Sequence, residues 1–185
     1  MRRFLSSIFF GFVALSLATS GRAQNDRKPP VIADQKPTGG IDTVMAYAGT
    51  WKVTGERFAT AHSDAGKDDS TLRNDCWKSG DYVACNQYVN GSSKILLVFT
   101  YNDQQKMYTS YQVPQTGDPA TSGKLQIVAN IWTFPWTVTQ GETTTYFHVV
   151  DVFSGTDRID YAQEYSVDNV HWTTMARGSE TKTGK

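Results

Sequence analysis

The stretch 73–101, RNDCWKSGDYVACNQYVNGSSKILLVFTY, constrains the fold most, because two tight turns and the chain's two cysteines agree on one strand register. Gly80-Asp81 suits a two-residue hairpin loop, since glycine tolerates the positive φ such turns need, and Asn90-Gly91 is a stronger type I′ signal. With Gly80 and Asp81 as the loop, Ser79 faces Tyr82, Trp77 faces Ala84, and Cys76 faces Cys85. Counting outward from the turn makes Cys76/Cys85 a non-hydrogen-bonded pair, with Cα atoms about 4.5 Å apart and inside disulfide range. The segment is therefore expected to form three antiparallel strands closed by one disulfide.

Alternation along those strands sorts the side chains into two faces. One collects Arg73, Asp75, Trp77, Tyr82, Ala84, Tyr88, Ile95, Leu97, Phe99 and Tyr101. The other collects Cys76, Lys78, Val83, Cys85, Gln87, Lys94, Leu96, Val98 and Thr100. The first is richer in aromatics and is expected inside, although Leu96 and Val98 make the second partly apolar.

The beginning of the chain reads as an export signal. Arg2 and Arg3 precede an apolar run over 4–17, and small residues lead to Gly21-Arg22-Ala23, a cleavage signal. The run is too short for a good membrane anchor. Residues 1–23 are thus expected to be removed, 24–40 (with Pro29, Pro30, Pro37, Gly39 and Gly40) to be a flexible leader, and 41–185 to be one domain. Losing Arg2, Arg3 and Arg22 takes the basic residues from 18 to 15 against 18 acidic ones, a net charge of −3. That leaves no basic patch for nucleic acid and no basic helix for a membrane surface. Two cysteines in an exported chain favour a disulfide over a metal site, which would lack further His or Cys partners.

A short helix is expected over 41–49, capped by Asp42 and ended by Gly49. Strands follow over 50–59, through the central segment, and over 106–113. A strand interrupted by Pro135 is expected over 124–139, then strands over 142–153, 158–167 and 171–182, the last hairpin placing Tyr165 opposite Trp172. Residues 60–70, with Asp64, Asp68 and Asp69, read as a solvated loop, since the aspartate spacing does not fit an EF-hand. Strands so numerous, joined by short hairpins, argue for an all-β, antiparallel up-and-down barrel of about 8–10 strands; a two-sheet sandwich is the alternative.

Gly49-Thr50-Trp51 after a short helix resembles the start of calycin, or lipocalin-like, barrels. The chain also resembles an uncharacterised bacterial family of small exported barrels of that kind. The likeness lies in Ala48-Gly49-Thr50-Trp51, in Phe99-Thr100-Tyr101-Asn102 with Tyr108, and in the run 164–172. The resemblance implies a calycin-like fold with Trp51 across the closed end, and brings no catalytic residues. Such closing turns often carry Asp-Gly; here Asn169 stands in the glycine's place.

The expected function is binding of a small, largely apolar or aromatic ligand by a monomeric barrel, without cofactor or metal. Its expected lining is Trp51, Arg73, Trp77, Tyr88, Phe99, Tyr101, Trp132 and Tyr165, with Arg73 as the charged contact. Plain core filling accounts for most of these aromatics. A filled core would instead suit an interaction module working through Trp132, Phe134 and Trp136. Haem binding would need an interior His148 or His171, and a structural role suits both better. For catalysis only Arg73, Asp75 and Tyr101 form a trio to test.

Overall fold

A computed structural model describes residues 39–184, so the signal and most of the leader lie outside the described residues. A 3₁₀ helix (Ile41–Tyr47) precedes ten strands: β1 (Gly49–Arg57), β2 (Gly66–Ser79), β3 (Tyr82–Val89), β4 (Ser92–Asn102), β5 (Met107–Pro114), β6 (Thr121–Val128), β7 (Ile131–Gln140), β8 (Thr143–Ser154), β9 (Arg158–Ser166) and β10 (Thr173–Gly184). Each strand pairs antiparallel with the next, and β1 pairs with β10, giving a closed up-and-down barrel without sheet edges. The architecture is calycin-like in general form.

The central meander forms in the expected register. Ser79 pairs with Tyr82, Trp77 with Ala84 and Cys76 with Cys85, whose disulfide spans Cα atoms 4.0 Å apart. Gly80, Asn90 and Gly91 all adopt positive φ, as their turns require. Asn169 does the same at φ 59°, in the turn where a glycine was the alternative.

The faces of β2 and β3 are the reverse of the expectation. Val83, Cys85 and Gln87 point in, together with Leu72 and Asn74. Arg73, Asp75, Trp77, Tyr82 and Tyr88 lie on the outer surface, and Trp77 is 43% exposed. The cause is a β-bulge. Tyr88 pairs with Ser93 but Gln87 pairs with Ile95, so Lys94 is an extra residue in β4. One inserted residue shifts the side-chain parity of β4 against β3. Ile95, Leu97, Phe99 and Tyr101 do face in, now beside Gln87, Cys85 and Val83.

Other boundaries move for local reasons. The helix carries no side-chain cap; Asp42 pairs with Lys78 at 2.7 Å, and the helix ends at Tyr47, before Gly49 opens β1 at φ 125°. Residues 66–70, expected in a loop, continue β2 against β1, which puts Asp68 and Ser70 on the inward side. The expected strand over 124–139 is two strands, turning at Ala129 (φ 54°) rather than at Pro135. Pro135 is tolerated inside β7 because the β6 ladder ends at Gln126/Thr133, leaving that side without a partner for the missing N–H. Tyr165 pairs with Thr173, not with Trp172, which instead stacks on His148 at 3.7 Å.

The helix plugs one end. Tyr47 enters among Phe99, Trp132, Phe134 and Phe153, with ring centroids 5.1 to 6.4 Å away. Its carbonyl accepts from Trp51 Nε1 at 3.1 Å and from Asn74 Nδ2 at 3.2 Å, and Gln87 in turn donates to Asn74 Oδ1. Lys182 Nζ lies 5.0 Å from the Trp51 ring centre. Burying side chains this large is worth about 2–3 kcal/mol each, so the plug is a main stabiliser of the barrel.

Candidate functional site

Inside the barrel, strand register lines up polar groups in two adjacent rows. One runs Asp68 (β2), Gly55 (β1), Gly178 (β10), Tyr161 (β9), Asp151 (β8). The next runs Ser70, Val53, Glu180, Ile159, Phe153 across the same strands. The two glycines leave the middle of the first row without side chains, and the Tyr161 hydroxyl occupies that space. A Cβ on Gly55 would lie 2.3 Å from Tyr161 Oη, and one on Gly178 would lie 2.8 Å from it.

Asp151 and Glu180 are each 1% exposed. Asp151 Oδ2 accepts a hydrogen bond from the Tyr47 hydroxyl. Asp151 Oδ1, Glu180 Oε2 and Tyr161 Oη are buried and find no hydrogen-bond partner among the described residues. An unsatisfied buried polar atom costs roughly 1–3 kcal/mol, so three in one neighbourhood need a reason. Burial pushes the Asp151 carboxyl up to about 7, against the lowering effect of the Tyr47 hydrogen bond. Burial pushes Glu180 up to about 8, with the charge of Asp151 adding to it. Tyr161 is also raised, by burial first and then by Asp68, Glu180 and Asp151, with Arg57 opposing. Tyr161 pairs directly with Asp151, and Glu180 lies one row away on the adjoining strand β10.

The seam leads toward the end opposite the helix. Arg57 Nε lies 3.7 Å from Asp68 Oδ1 there. Residues 66–71 of β2 outrun β3, and the gap forms a rim recess of about 230 Å³ lined by Arg57, Lys67, Asp68, Asp69, Ser70, Val89 and Asn90. At the same end, His62 from the β1–β2 loop sits edge-on against Phe147 (5.2 Å) on β8 and Tyr165 (4.5 Å) on β9. Burial lowers the His62 imidazole, which keeps it neutral near pH 7. Ser63 Oγ donates to the Phe58 carbonyl at 2.7 Å and steadies the loop. Deeper in, Tyr47, Gln87, Leu97, Phe99, Gln112 and Phe134 are among the residues around a cavity of about 20 Å³, room for one water but not for a larger molecule.

Of the eight expected lining residues, Trp51, Phe99, Tyr101, Trp132 and Tyr165 face in. Trp51, Phe99 and Trp132 pack around the helix plug, and Tyr101 packs at a tilt on Tyr108 at that same end (ring centroids 4.5 Å). Tyr165 stands at the far mouth. Arg73, Trp77 and Tyr88 lie outside: Arg73 pairs with Asp75 at 3.1 Å and lies 4.2 Å over the Tyr88 ring. The trio Arg73, Asp75 and Tyr101 is therefore split between the two faces. Trp132 and Phe134 are buried, and Trp136 stacks on Phe147, so that segment is interior wall rather than an exposed patch. His148 is on the outer face, bonded to Glu164 at 2.9 Å, and His171 is exposed beside Asp168, so neither points into the barrel.

The polar seam was not anticipated. A signal for Asp151 is present: it shares parity with Phe147, Val149 and Phe153, a lone acid on an otherwise apolar face. Glu180 shares parity with Ala176, Gly178 and Lys182, which marks no face at all. Among the described residues no helix is long and apolar enough to cross a membrane. No protein-family model matches the chain, and no curated protein shows significant similarity to it.

Proposed function

We propose that the chain is an exported binding barrel that takes a small, largely apolar or aromatic molecule through the end opposite the helix. The observation that carries this reading is the set of buried, unpartnered polar atoms on Asp151, Tyr161 and Glu180 in an otherwise aromatic interior. Binding sites combine apolar walls with a few such convergent groups. The rim recess supplies the approach; because the inner cavity holds only one water, the ligand gains depth by displacing His62 from Phe147 and Tyr165 and by shifting the interior side chains behind them. The disulfide fits an oxidising compartment. The test is titration with the apolar dye N-phenyl-naphthylamine. Saturable dye binding that quenches tryptophan fluorescence, and loses that quenching in Trp132→Phe, supports the reading. No saturable binding contradicts it.

A second reading, an interaction module, has its own observation on the outer face. Trp77, Ala84, Val98 and Tyr111 form one row across β2 to β5, flanked by Tyr82 and Val113. Trp77, Tyr82, Tyr111 and Val113 are all exposed. This face, rather than the Trp132 segment, is where a protein partner would meet the barrel. Trp77→Ala with Tyr111→Ala would remove such a partner and leave dye binding intact.

A further inference from the structure

We propose that the interior site selects its ligand by a protonated amine, held by the Asp151 and Glu180 carboxyls and the Tyr161 hydroxyl. The inference rests on the reading of the barrel as a binding protein and names the chemistry of what is bound. Once ionised, the two carboxyls present their unpartnered oxygens as acceptors, and the Tyr161 hydroxyl either accepts or donates. An ammonium head supplies three donors and no acceptor, the complement of that set. An alcohol brings a single donor and leaves acceptors unmet.

Charge points the same way. Asp68 (β2), Glu180 (β10) and Asp151 (β8) bring three carboxyls to inward positions of alternate strands along one arc of the barrel wall. Among the described residues the cations at inward positions are Arg57, beside Asp68, and Lys182, over Trp51. A ligand carboxylate or phosphate would add like charge to a buried acidic seam, whereas a cation offsets the cost of ionising it. With both acids held protonated by burial toward neutral pH, an arriving ammonium lets one of them release its proton to solvent and, as the carboxylate, accept a charge-assisted hydrogen bond from the ammonium. The rings of Tyr47, Trp132 and Phe153 pack against one another close by, and aromatic ring faces attract a cation rather than an anion. The approach is polar at the rim, and for a charged head to pass from Asp68 to Asp151 the Tyr161 side chain, which fills the space over Gly55 and Gly178, must swing aside.

The experiment compares phenethylamine, phenethyl alcohol and hydrocinnamate, similar in size and differing in the polar head. Calorimetric titration of the full chain near neutral pH is expected to show the amine binding roughly tenfold or more tighter than the alcohol, with hydrocinnamate weakest. Asp151→Asn and Glu180→Gln keep shape and remove charge, and each is expected to erase the preference. Arg73→Ala, outside the barrel, is expected to keep it. If the alcohol binds as tightly as the amine, the amine assignment fails while the binding reading stands. If none of the three binds, both fail, and the buried oxygens serve water alone. Tyr161→Phe, which removes one hydroxyl without adding volume, is expected to weaken the amine more than the alcohol; equal weakening of both overturns the role given to Tyr161.

Discussion

Replacing Glu180 by Gln and Asp151 by Asn is expected to change how stability depends on pH more than it changes the fold. Both carboxyls are raised in the folded chain, to about 8 and about 7. In the unfolded chain they titrate near 4.3 and 3.9. The folded state therefore binds their protons more tightly, so their contribution is fully present below about pH 4 and is lost as pH rises through 7 and 8. From those values the loss between pH 6 and pH 8 is roughly 2 kcal/mol from Glu180 and 1 to 1.5 kcal/mol from Asp151. The groups facing them are Tyr47 from the helix, Arg57, Asp68, Tyr161 and Lys182. Tyr47 and Tyr161 are raised and stay protonated through this window. Urea unfolding at pH 6 and pH 8 measures the effect. The native chain is expected to lose roughly 3 to 4 kcal/mol between them, and the double variant about 1 kcal/mol or less. Equal losses in both proteins, or stability that rises with pH in the native chain, would refute the placement of the two acids.

Packing elsewhere in the barrel has further consequences. A methyl at Gly178 would meet the Thr54 carbonyl at 2.2 Å and Tyr161 Oη at 2.8 Å, so Gly178→Ala is expected to cost about 1–3 kcal/mol in denaturant unfolding. Joining residues nine apart, the Cys76–Cys85 disulfide is expected to contribute about 2–3 kcal/mol, read as the difference between native chain and Cys76→Ser/Cys85→Ser in urea. His62→Ala is expected to uncover Phe147 and Tyr165 and speed dye association severalfold in stopped flow, without a matching gain in dissociation-limited affinity.

Much of the barrel was legible because turn chemistry and alternation are local. Asn90-Gly91 and Gly80 place the central hairpins, and the cysteine pair confirms their register. Arg158, Asp160 and Glu164 mark an outer stripe, and Ile159, Tyr161, Gln163 and Tyr165 point in as their parity requires. What failed was parity carried across a bulge. Nothing in Ser93-Lys94-Ile95 announces the extra residue, yet it decides that Trp77 meets solvent and Cys85 the core. The seam was hidden for a different reason. Asp151, Tyr161 and Glu180 come from the consecutive strands β8 to β10, but Asp68 lies far off in β2, and only closure of β1 on β10 brings Asp68 and Tyr161 to one row.

Native mass spectrometry of the chain, purified gently from the cells that make it, tests the binding reading most directly. Extra mass that leaves on denaturation, and that fragments as an amine with an apolar or aromatic body, is the predicted result. The bare mass of the processed chain, less two hydrogens for the disulfide, persisting when phenethylamine is added, would contradict the account and favour the outer Trp77–Tyr111 face as the working surface.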